Sequence, residues 1–325
     1  MPVIAALRSN PQLAAITSIL TGMLCISVQD TVIKWVSGDY PLHEIVLGRA
    51  VVAVFLVLGI MKLEGGFHLL RTKVIKLHLT RGALLVTANM SYFLALAILP
   101  IAEAMSIFFV APLFITALSV PFLGEKVGIR RWAAVTIGLV GVLVVIRPGT
   151  GVFEWAALLP IIGAMSYAIL QIITRRMGVT ERASTMAVYV QLTFIVVSAG
   201  FGLVAGDGGF VADGDHPSKQ FLLRAWVWPT PVDAALIALC GTMTAGTSYL
   251  LAQAYRLAEP TMIAPFEYVA LPLVMIWGFV LWGDLPDMIS LLGIALIVGG
   301  GLFVFYRESI RGSKLVVERP MPRSR

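Results

Sequence analysis

Residues 91–126 have the sequence SYFLALAILPIAEAMSIFFVAPLFITALSVPFLGEK, and residues 248–285 repeat its pattern as SYLLAQAYRLAEPTMIAPFEYVALPLVMIWGFVLWGDL. Both stretches open with Ser-Tyr, carry Ala-Glu near the middle, and end with an acidic residue directly after a glycine. Corresponding positions lie 156 to 160 residues apart, which is about half of the chain. Self-similarity at a nearly fixed spacing is typical of duplicated units, so we predict an internally duplicated protein.

The composition of the chain predicts an integral membrane protein. Hydrophobic residues make up 58% of the sequence and charged residues only 13%, and the mean hydropathy is +0.91. A soluble domain carries about 25% charged residues. The apolar runs are too long for the ~10-residue alternating strands of a membrane barrel, so we predict an all-α membrane protein. Its ten predicted transmembrane helices are 13–36, 42–61, 82–101, 104–122, 128–146, 153–174, 183–204, 232–254, 260–282 and 288–306. The longest connection, 205–231, is expected to be an exposed loop.

The distribution of Lys and Arg predicts the orientation in the membrane. With the N-terminus in the cytoplasm, 19 of the 24 basic residues fall in cytoplasmic segments and 4 on the opposite side, with Arg49 inside a span. Because cytoplasmic loops are enriched in basic residues, both termini are expected in the cytoplasm and the protein in a bacterial inner membrane. Each half holds five spans, so the second half enters the membrane from the opposite face. We therefore predict two inverted five-helix repeats, 13–146 and 153–306, followed by a basic cytoplasmic tail, 307–325.

Several local motifs carry a family resemblance. They are Gly48-Arg49 at the start of the second span, Phe122-Leu123-Gly124-Glu125-Lys126, and the Gly138-Leu139-Val140-Gly141-Val142 run before Arg147-Pro148-Gly149. With these motifs the chain resembles the drug/metabolite transporter superfamily, and specifically its ten-helix EamA-type branch. The resemblance implies a central cavity between the two halves and secondary transport by alternating access. The implied solute is a small organic metabolite, such as an amino acid, a riboflavin-like compound or a nucleoside-like compound.

Three charged residues lie well away from the ends of predicted spans, where charge is costly and usually functional. Asp30 and Arg49 lie at similar depths on adjacent helices, about 10 Å below the outer surface. They could form a charge gate or anchor a substrate, or form a salt bridge that only fixes helix packing; Asp30 could also pair with Lys34. Glu267 follows Pro265, which interrupts the helical hydrogen bonds. A carboxylate there suits proton or cation coupling, although Glu267 could instead extend towards Arg256.

A second set of polar and aromatic residues in the spans is predicted to complete the lining of a substrate cavity. Tyr92 and Tyr249 correspond in the repeat, so they would place matching groups on opposite sides of one cavity. Aromatic rings with amide neighbours suit a planar metabolite. Each residue could equally form an interhelical hydrogen bond worth ~0.6 kcal/mol. With the ionisable residues, the predicted substrate-binding set is Asp30, Arg49, Asn89, Tyr92, Gln171, Gln191, Tyr249, Gln253 and Glu267; Tyr189 is a further candidate for the lining.

Other notable residues have structural explanations. Glu103 and Glu259 fall at predicted helix starts, where the helix dipole stabilises a carboxylate by ~0.3–1 kcal/mol. The small-residue pairs Ala134–Gly138 and Ala295–Gly299 allow close helix contacts. Those contacts could lie within the bundle or form a homodimer interface, and both alternatives remain open.

The sequence carries no pattern that is typical of an enzyme. The four His show no ligand spacing, both Cys fall in apolar segments, and there is no Gly-rich phosphate loop or nucleophile elbow. We therefore expect neither a catalytic site nor a cofactor or metal. The net charge of +6 is assigned to cytoplasmic loops, so the expected partners are a small-molecule substrate and the lipid bilayer, not nucleic acid. The alternative to a transporter is a scaffold or sensor with the same fold, which would be expected to lose buried polar groups.

Overall fold

The computed structural model describes residues 11–124, 128–147, 155–178, 180–211, 217–258 and 260–310. The described residues form helices and connecting turns, with no β-strand among them. The α-helices in chain order are α1 (Pro11–Val36), α2 (Leu42–Glu64), α3 (Ile75–Leu96), α4 (Ile101–Phe108), α5 (Ala111–Leu123), α6 (Ile129–Ile146), α7 (Leu159–Met177), α8 (Ala183–Ala205), α9 (Pro217–Leu223), α10 (Pro231–Leu257), α11 (Pro260–Ile263), α12 (Ala270–Trp282) and α13 (Met288–Ile310). Short 3₁₀ segments lie at Phe67–Leu70, Trp155–Leu158 and Ala264–Val269.

Many of these helices are long and apolar enough to cross a bilayer. Within the described chain, six segments meet both conditions: Leu13–Val36, Leu42–Glu64, Ile101–Leu123, Trp155–Met177, Ala183–Ala205 and Pro231–Leu257. Three shorter apolar helices lie at Thr136–Ile146, Phe266–Trp282 and Met288–Gly300. Helix α3 is less apolar, because its N-terminal half carries Lys76, His78 and Arg81. The fold is therefore an all-helical bundle with several membrane-length apolar helices.

Helix α3 begins seven residues before the predicted span at 82–101 and ends at Leu96. Arg81 therefore lies within the helix rather than in a cytoplasmic connection. Its Nε donates to Thr174 Oγ1 at 2.9 Å, and Nη1 donates to the carbonyl of Met186 at 3.3 Å. Arg81 therefore donates to both neighbouring helices, α7 and α8, from within α3.

Two predicted spans are interrupted, and they occupy corresponding places in the two halves. The span predicted at 104–122 consists of α4 and α5, with Pro112 in the first turn of α5, where a missing N–H costs nothing. The span predicted at 260–282 consists of α11, the 3₁₀ segment Ala264–Val269 and α12. The prediction that the helix is disrupted beside Glu267 is confirmed. Glu103 lies in the first turn of α4 as expected, whereas Glu259 lies outside the described residues.

Helices α5 and α12 end alike. Gly124 has φ 72° and Gly283 has φ 70°, so both adopt the left-handed conformation that closes a helix. Residues with a Cβ rarely adopt this conformation, which explains why glycine stands at the matching place of both copies.

Part of the connection predicted as an exposed loop packs against the bundle. Within it, α9 buries Phe221, and the hydroxyl of Ser218 donates to the carbonyl of Leu94 at 2.8 Å. The carbonyl of Leu222 lies 2.8 Å from Nδ1 of His43. The prediction is wrong for this segment, because its apolar residues form a short helix whose buried side meets α2 and α3.

The helices pack in a small number of extensive pairs. Helix α10 packs along α1 and α2, α3 packs along α7 and α8, α2 packs along α8, and α6 packs along α13. Helices α6 and α13 approach each other closely at Gly141 and Gly293. A Cβ added to Gly141 would lie only 2.7 Å from the carbonyl oxygen of Gly293. A Cβ on Gly138 would clash with the side chain of Leu113 on α5, so the close contact predicted at Gly138 lies within the bundle. A Cβ on Gly299 would meet no described atom within 4 Å, and the Gly141–Gly293 contact is additional to the predicted ones.

Candidate functional site

A cavity with a volume of about 130 Å³ lies in the middle of the helical bundle. Helices α1, α2, α3, α4, α7, α8 and α10 contribute to its wall, as does the interrupted region around Glu267. No lining residue comes from the described parts of α6 or α13. The polar residues of the lining are Gln29, Asp30, Arg49, Arg81, Asn89, Tyr92, Tyr167, Gln171, Gln191, Thr244, Thr247, Ser248 and Glu267.

The structure brings seven of the nine predicted substrate-binding residues to this cavity: Asp30, Arg49, Asn89, Tyr92, Gln171, Gln191 and Glu267. Tyr249 and Gln253 lie outside its lining. The hydroxyl of Tyr249 donates to Glu64 Oε1 at 2.7 Å, and Gln253 Oε1 accepts from Arg256 Nη1 at 3.3 Å. Tyr92 and Tyr249 therefore do not face each other across one cavity.

Tyr189, the further candidate, also has another partner. Its hydroxyl donates to the carbonyl of Leu70 at 2.8 Å, and its ring stacks on His78 with centroids 4.3 Å apart. The first contact ties α8 to the 3₁₀ segment Phe67–Leu70, and the second ties α8 to α3.

Arg49 is held between two aromatic rings. Its guanidinium carbon lies 5.4 Å from the centroid of Phe93 and 5.2 Å from that of Phe194. Nη2 donates to Asn89 Oδ1 at 2.6 Å, whereas the buried Nε has no hydrogen-bond partner in the protein. The side chain is only 1% exposed. A planar guanidinium suits this position because it can stack on aromatic faces and keep its edge free for hydrogen bonds.

Asp30 is buried on the neighbouring helix and is hydrogen-bonded. Gln29 Nε2 donates to Asp30 Oδ1 at 3.3 Å, and Gln29 Oε1 accepts from the hydroxyl of Thr244 at 2.7 Å. Gln29 therefore links Asp30 to α10. Tyr92 lies near the carboxyl group, and its hydroxyl donates to Sδ of Met105 at 3.8 Å.

Asp30 and Arg49 interact electrostatically, but the ion pairs within 4.0 Å among the described residues do not include them. The alternative of a direct salt bridge between Asp30 and Arg49 is therefore not observed, and the two charges interact at longer range. The alternative pair with Lys34 is also absent from the described contacts. Lys34 Nζ donates to the carbonyl of Leu99 at 3.2 Å and lies over the ring of Trp282.

Glu267 is bound by two tyrosines that the sequence analysis did not identify. The hydroxyl of Tyr167 donates to Glu267 Oε1 at 2.8 Å, and that of Tyr255 donates to the same oxygen. Glu267 is 2% exposed and bonded to these tyrosines, so the alternative in which it extends towards Arg256 is not the one observed. Tyr167 and Tyr255 stand in apolar runs with no spacing that links them to residue 267, so only the packing of helices reveals this contact.

Arg81 is a second buried cation of the cavity that the sequence analysis missed. It shares one face of α3 with Leu85, Asn89 and Tyr92, all of which line the cavity. Eight residues separate Arg81 from Asn89, which corresponds to about 12 Å along the helix. The 3.6-residue periodicity of α3 was the available signal, but the count of basic residues places Arg81 in a cytoplasmic segment before the span predicted at 82–101.

Aromatic rings form one wall of the cavity. The ring centroids of Tyr92 and Phe108 lie 5.3 Å apart, and those of Phe108 and Tyr167 lie 5.6 Å apart, with tilts of 59° and 56°. Such tilted contacts are favourable and build a continuous apolar surface. Because Tyr167 also donates to Glu267, the wall ends at a carboxyl group.

Polar contacts outside the cavity lining join further helices. Glu64 at the end of α2 accepts hydrogen bonds from Ser184 and Tyr249. Arg147 Nη2 lies 2.6 Å from Asp287 Oδ2 and joins the end of α6 to the start of α13. The Arg147 guanidinium and the bonds from Ser290 hold the pKa of Asp287 well below its ordinary value. Among the described residues, no cluster of three or more His, Cys, Asp or Glu could hold a metal ion.

Comparison with known proteins gives consistent matches. Residues 13–147 match the EamA-like transporter family. The riboflavin transporter of Rhizobium johnstonii is 31% identical over 249 residues, which cover 77% of this chain and 76% of that protein. The S-adenosylmethionine uptake transporter of Rickettsia bellii is 28% identical over 251 residues, covering 77% and 79%.

Two further matches extend over almost the whole chain. The pseudopaline exporter CntI of Pseudomonas aeruginosa is 24% identical over 297 residues, covering 91% of this chain and 95% of that protein. One solved crystal structure is similar with a TM-score of 0.63 at 20% identity, covering 94% and 99%. At this identity the likeness concerns the fold alone.

Proposed function

This chain belongs to the EamA-like transporter family, and on that premise we propose that it moves a small organic metabolite across the bacterial inner membrane by alternating access. The observation that carries the proposal is the central cavity, where buried charges and amides face a space enclosed by apolar helices. Such groups are costly in a membrane and are kept where they contact a solute or an ion. A scaffold or sensor would not need them, so that alternative is not favoured.

We further propose ten spans in two inverted repeats, 13–146 and 153–306, with both termini and the tail 307–325 in the cytoplasm. The pattern of helix packing supports this arrangement. If each span corresponds to the one five places later, α1 corresponds to α7 and α10 corresponds to α3. The contact between α1 and α10 then has its equivalent in the contact between α7 and α3. The α2–α8 and α6–α13 contacts each join two corresponding spans, so each is its own equivalent. These are among the most extensive pairs in the bundle.

Such symmetry gives the two halves exchangeable roles. In inverted-repeat transporters, one half moves relative to the other around a site near the middle of the membrane. The cavity lies between elements of both proposed repeats, since Asp30, Arg49 and Asn89 belong to the first and Gln191 and Glu267 to the second. We propose that the seven predicted residues in the lining contact the solute. Tyr249 and Gln253 would instead act where the bundle closes beside Glu64.

Glu267 is the proposed proton-coupling residue. It is a buried carboxyl group beside an interrupted helix, and the hydroxyls of Tyr167 and Tyr255 both donate to one of its two oxygens. A rearrangement of α7 or α10 would withdraw a tyrosine hydroxyl from this oxygen and change the affinity of the carboxyl group for a proton. Movement of the halves and proton binding would thereby be linked.

The test is solute exchange in liposomes that contain the purified protein. Labelled riboflavin, S-adenosylmethionine and a set of amino acids are supplied outside vesicles that hold the same unlabelled solute. We expect exchange of at least one solute, and we expect a pH gradient to drive its accumulation. Glu267→Gln is expected to keep exchange and lose pH-driven accumulation.

Two results would contradict these proposals separately. A failure to exchange any solute in the set would contradict metabolite transport of the proposed kind. Unchanged pH-driven accumulation in Glu267→Gln would reject the coupling role alone.

A further inference from the structure

Gln191 presents an unsatisfied amide to the cavity. The side chain lies on α8 and is 0% exposed, and neither its Oε1 nor its Nε2 has a hydrogen-bond partner among the described residues. Two other amides of the lining are hydrogen-bonded, since Gln29 contacts Asp30 and Thr244, and Asn89 accepts from Arg49. A buried polar group without a partner lowers stability, so its retention in a cavity wall indicates a role with a ligand.

The surroundings of Gln191 restrict what that ligand can be. Phe194 lies three residues further along α8 on the same face, and its ring stacks on Arg49. Arg49 also keeps an unpartnered Nε. The amide therefore lies in the same part of the lining as an aromatic ring and a flat cation, and the Tyr92–Phe108–Tyr167 wall provides a further apolar surface.

A glutamine amide carries one donor and one acceptor side by side in a single plane. Its ideal partner is a planar group with an acceptor next to an N–H, because two parallel hydrogen bonds then form at once. A carboxylate cannot provide this match, since it offers acceptors only. An aliphatic solute could form such bonds but would not use the aromatic wall.

We propose that Gln191 recognises the edge of a planar heterocycle in which a carbonyl oxygen or ring nitrogen lies next to an N–H, while the ring packs against the aromatic wall. This inference deepens the proposed transport function and rests on it. Imide edges of flavin-like rings and amino edges of adenine-like rings both have the required pattern. The substrate class is thus defined by one hydrogen-bonding edge and a flat apolar face.

The experiment compares matched solutes that differ only at this edge. Thermal unfolding of the purified protein is followed with riboflavin and 3-methylriboflavin, with adenosine and N6,N6-dimethyladenosine, and with leucine as a solute without such an edge. Ligands that bind the folded state raise the unfolding temperature, which gives relative affinities. We expect the unmethylated member of at least one pair to bind about 5-fold to 100-fold more tightly.

Two variants assign that preference to Gln191. Gln191→Leu is expected to lose the preference and, without solute, to unfold at a higher temperature because an unmet polar group is removed. Ser198→Ala is the matched control. Ser198 is a buried hydroxyl without a partner on the same helix, outside the cavity lining, so the preference should persist in this variant.

The outcomes separate this inference from the transport proposal. Equal binding of both members of every pair, or binding of leucine alone, overturns the inference, and this comparison needs no variant. A preference that persists in Gln191→Leu also overturns it. Transport of any solute in liposomes leaves the transport function standing in each of these cases.

Discussion

The interaction between Asp30 and Arg49 should be measurable as a coupling free energy of unfolding. Asp30→Asn and Arg49→Met each remove one charge with little change in shape, and the double variant removes both. The methionine side chain can occupy the space between Phe93 and Phe194, because thioethers pack well against aromatic rings. The comparison therefore reports mainly on charge.

The magnitude follows from the geometry. Two unit charges 4 Å apart interact by about 4 kcal/mol at an effective dielectric constant of 20. Asp30 and Arg49 are not an ion pair within that distance, so we expect a coupling of roughly 2–3 kcal/mol. Arg49→Met alone should lower the free energy of unfolding by about 3–5 kcal/mol, because it leaves Asp30 buried without a compensating charge. The double variant should be less destabilised than the sum of the two single variants.

The assay is unfolding in mixed detergent micelles at pH 7, with the free energy of unfolding obtained for all four proteins. A coupling below about 0.5 kcal/mol is the size expected of independent sites and would refute the reasoning. Charge exchange, Asp30→Arg with Arg49→Asp, should not restore stability, because a carboxylate between two ring faces is repelled by them. Recovery by that exchange would show that the ring contacts of Arg49 contribute little.

Three further predictions follow from contacts elsewhere in the bundle. Tyr255→Phe removes a donor to Glu267 and should destabilise the protein by about 1–3 kcal/mol and reduce transport. Tyr268→Phe is the control, because it removes a buried hydroxyl that has no hydrogen-bond partner among the described residues, and it should have neither effect. Gly141→Ala places a Cβ 2.7 Å from the Gly293 carbonyl and should lower stability by about 1–3 kcal/mol, while Gly299→Ala should leave the unfolding temperature unchanged. Asp287→Asn removes a carboxylate whose pKa is lowered by Arg147. The stabilisation from this carboxylate is complete above the pKa of an unfolded aspartate and is lost at lower pH. The difference in unfolding temperature between the parent and the variant should therefore be constant from pH 8 to 5 and diminish only below about pH 4. A difference that changed between pH 8 and 6 would show that another group is responsible.

The sequence predicted features that depend on composition and on local backbone chemistry. The helical membrane class follows from the low charge content, and the family membership predicted from the motifs is confirmed. The interruption beside Glu267 follows from Pro265, because a proline cannot donate the hydrogen bond that continues the helix. The matching ends of α5 and α12 follow from the two glycines in the repeat.

Contacts between distant residues could not be predicted in the same way. Tyr167 lies 100 residues from Glu267, and no local pattern distinguishes it from an ordinary core aromatic. The spacing of Tyr249 and Gln253 correctly implies a shared helix face, but it does not indicate which neighbour that face meets. Arg81 shows a related limitation, since a count of basic residues by loop treats each one as exposed and takes no account of acceptors on adjacent helices.

The α6–α13 pair, joined by the close contact of Gly141 and Gly293, contributes no described residue to the cavity. Substitutions that alter the cavity therefore fall on other helices and leave this contact intact. A change of solute can therefore act on the cavity without disturbing this helix pair. The pair can stay constant while the cavity varies, which accords with relatives named for riboflavin, S-adenosylmethionine and pseudopaline.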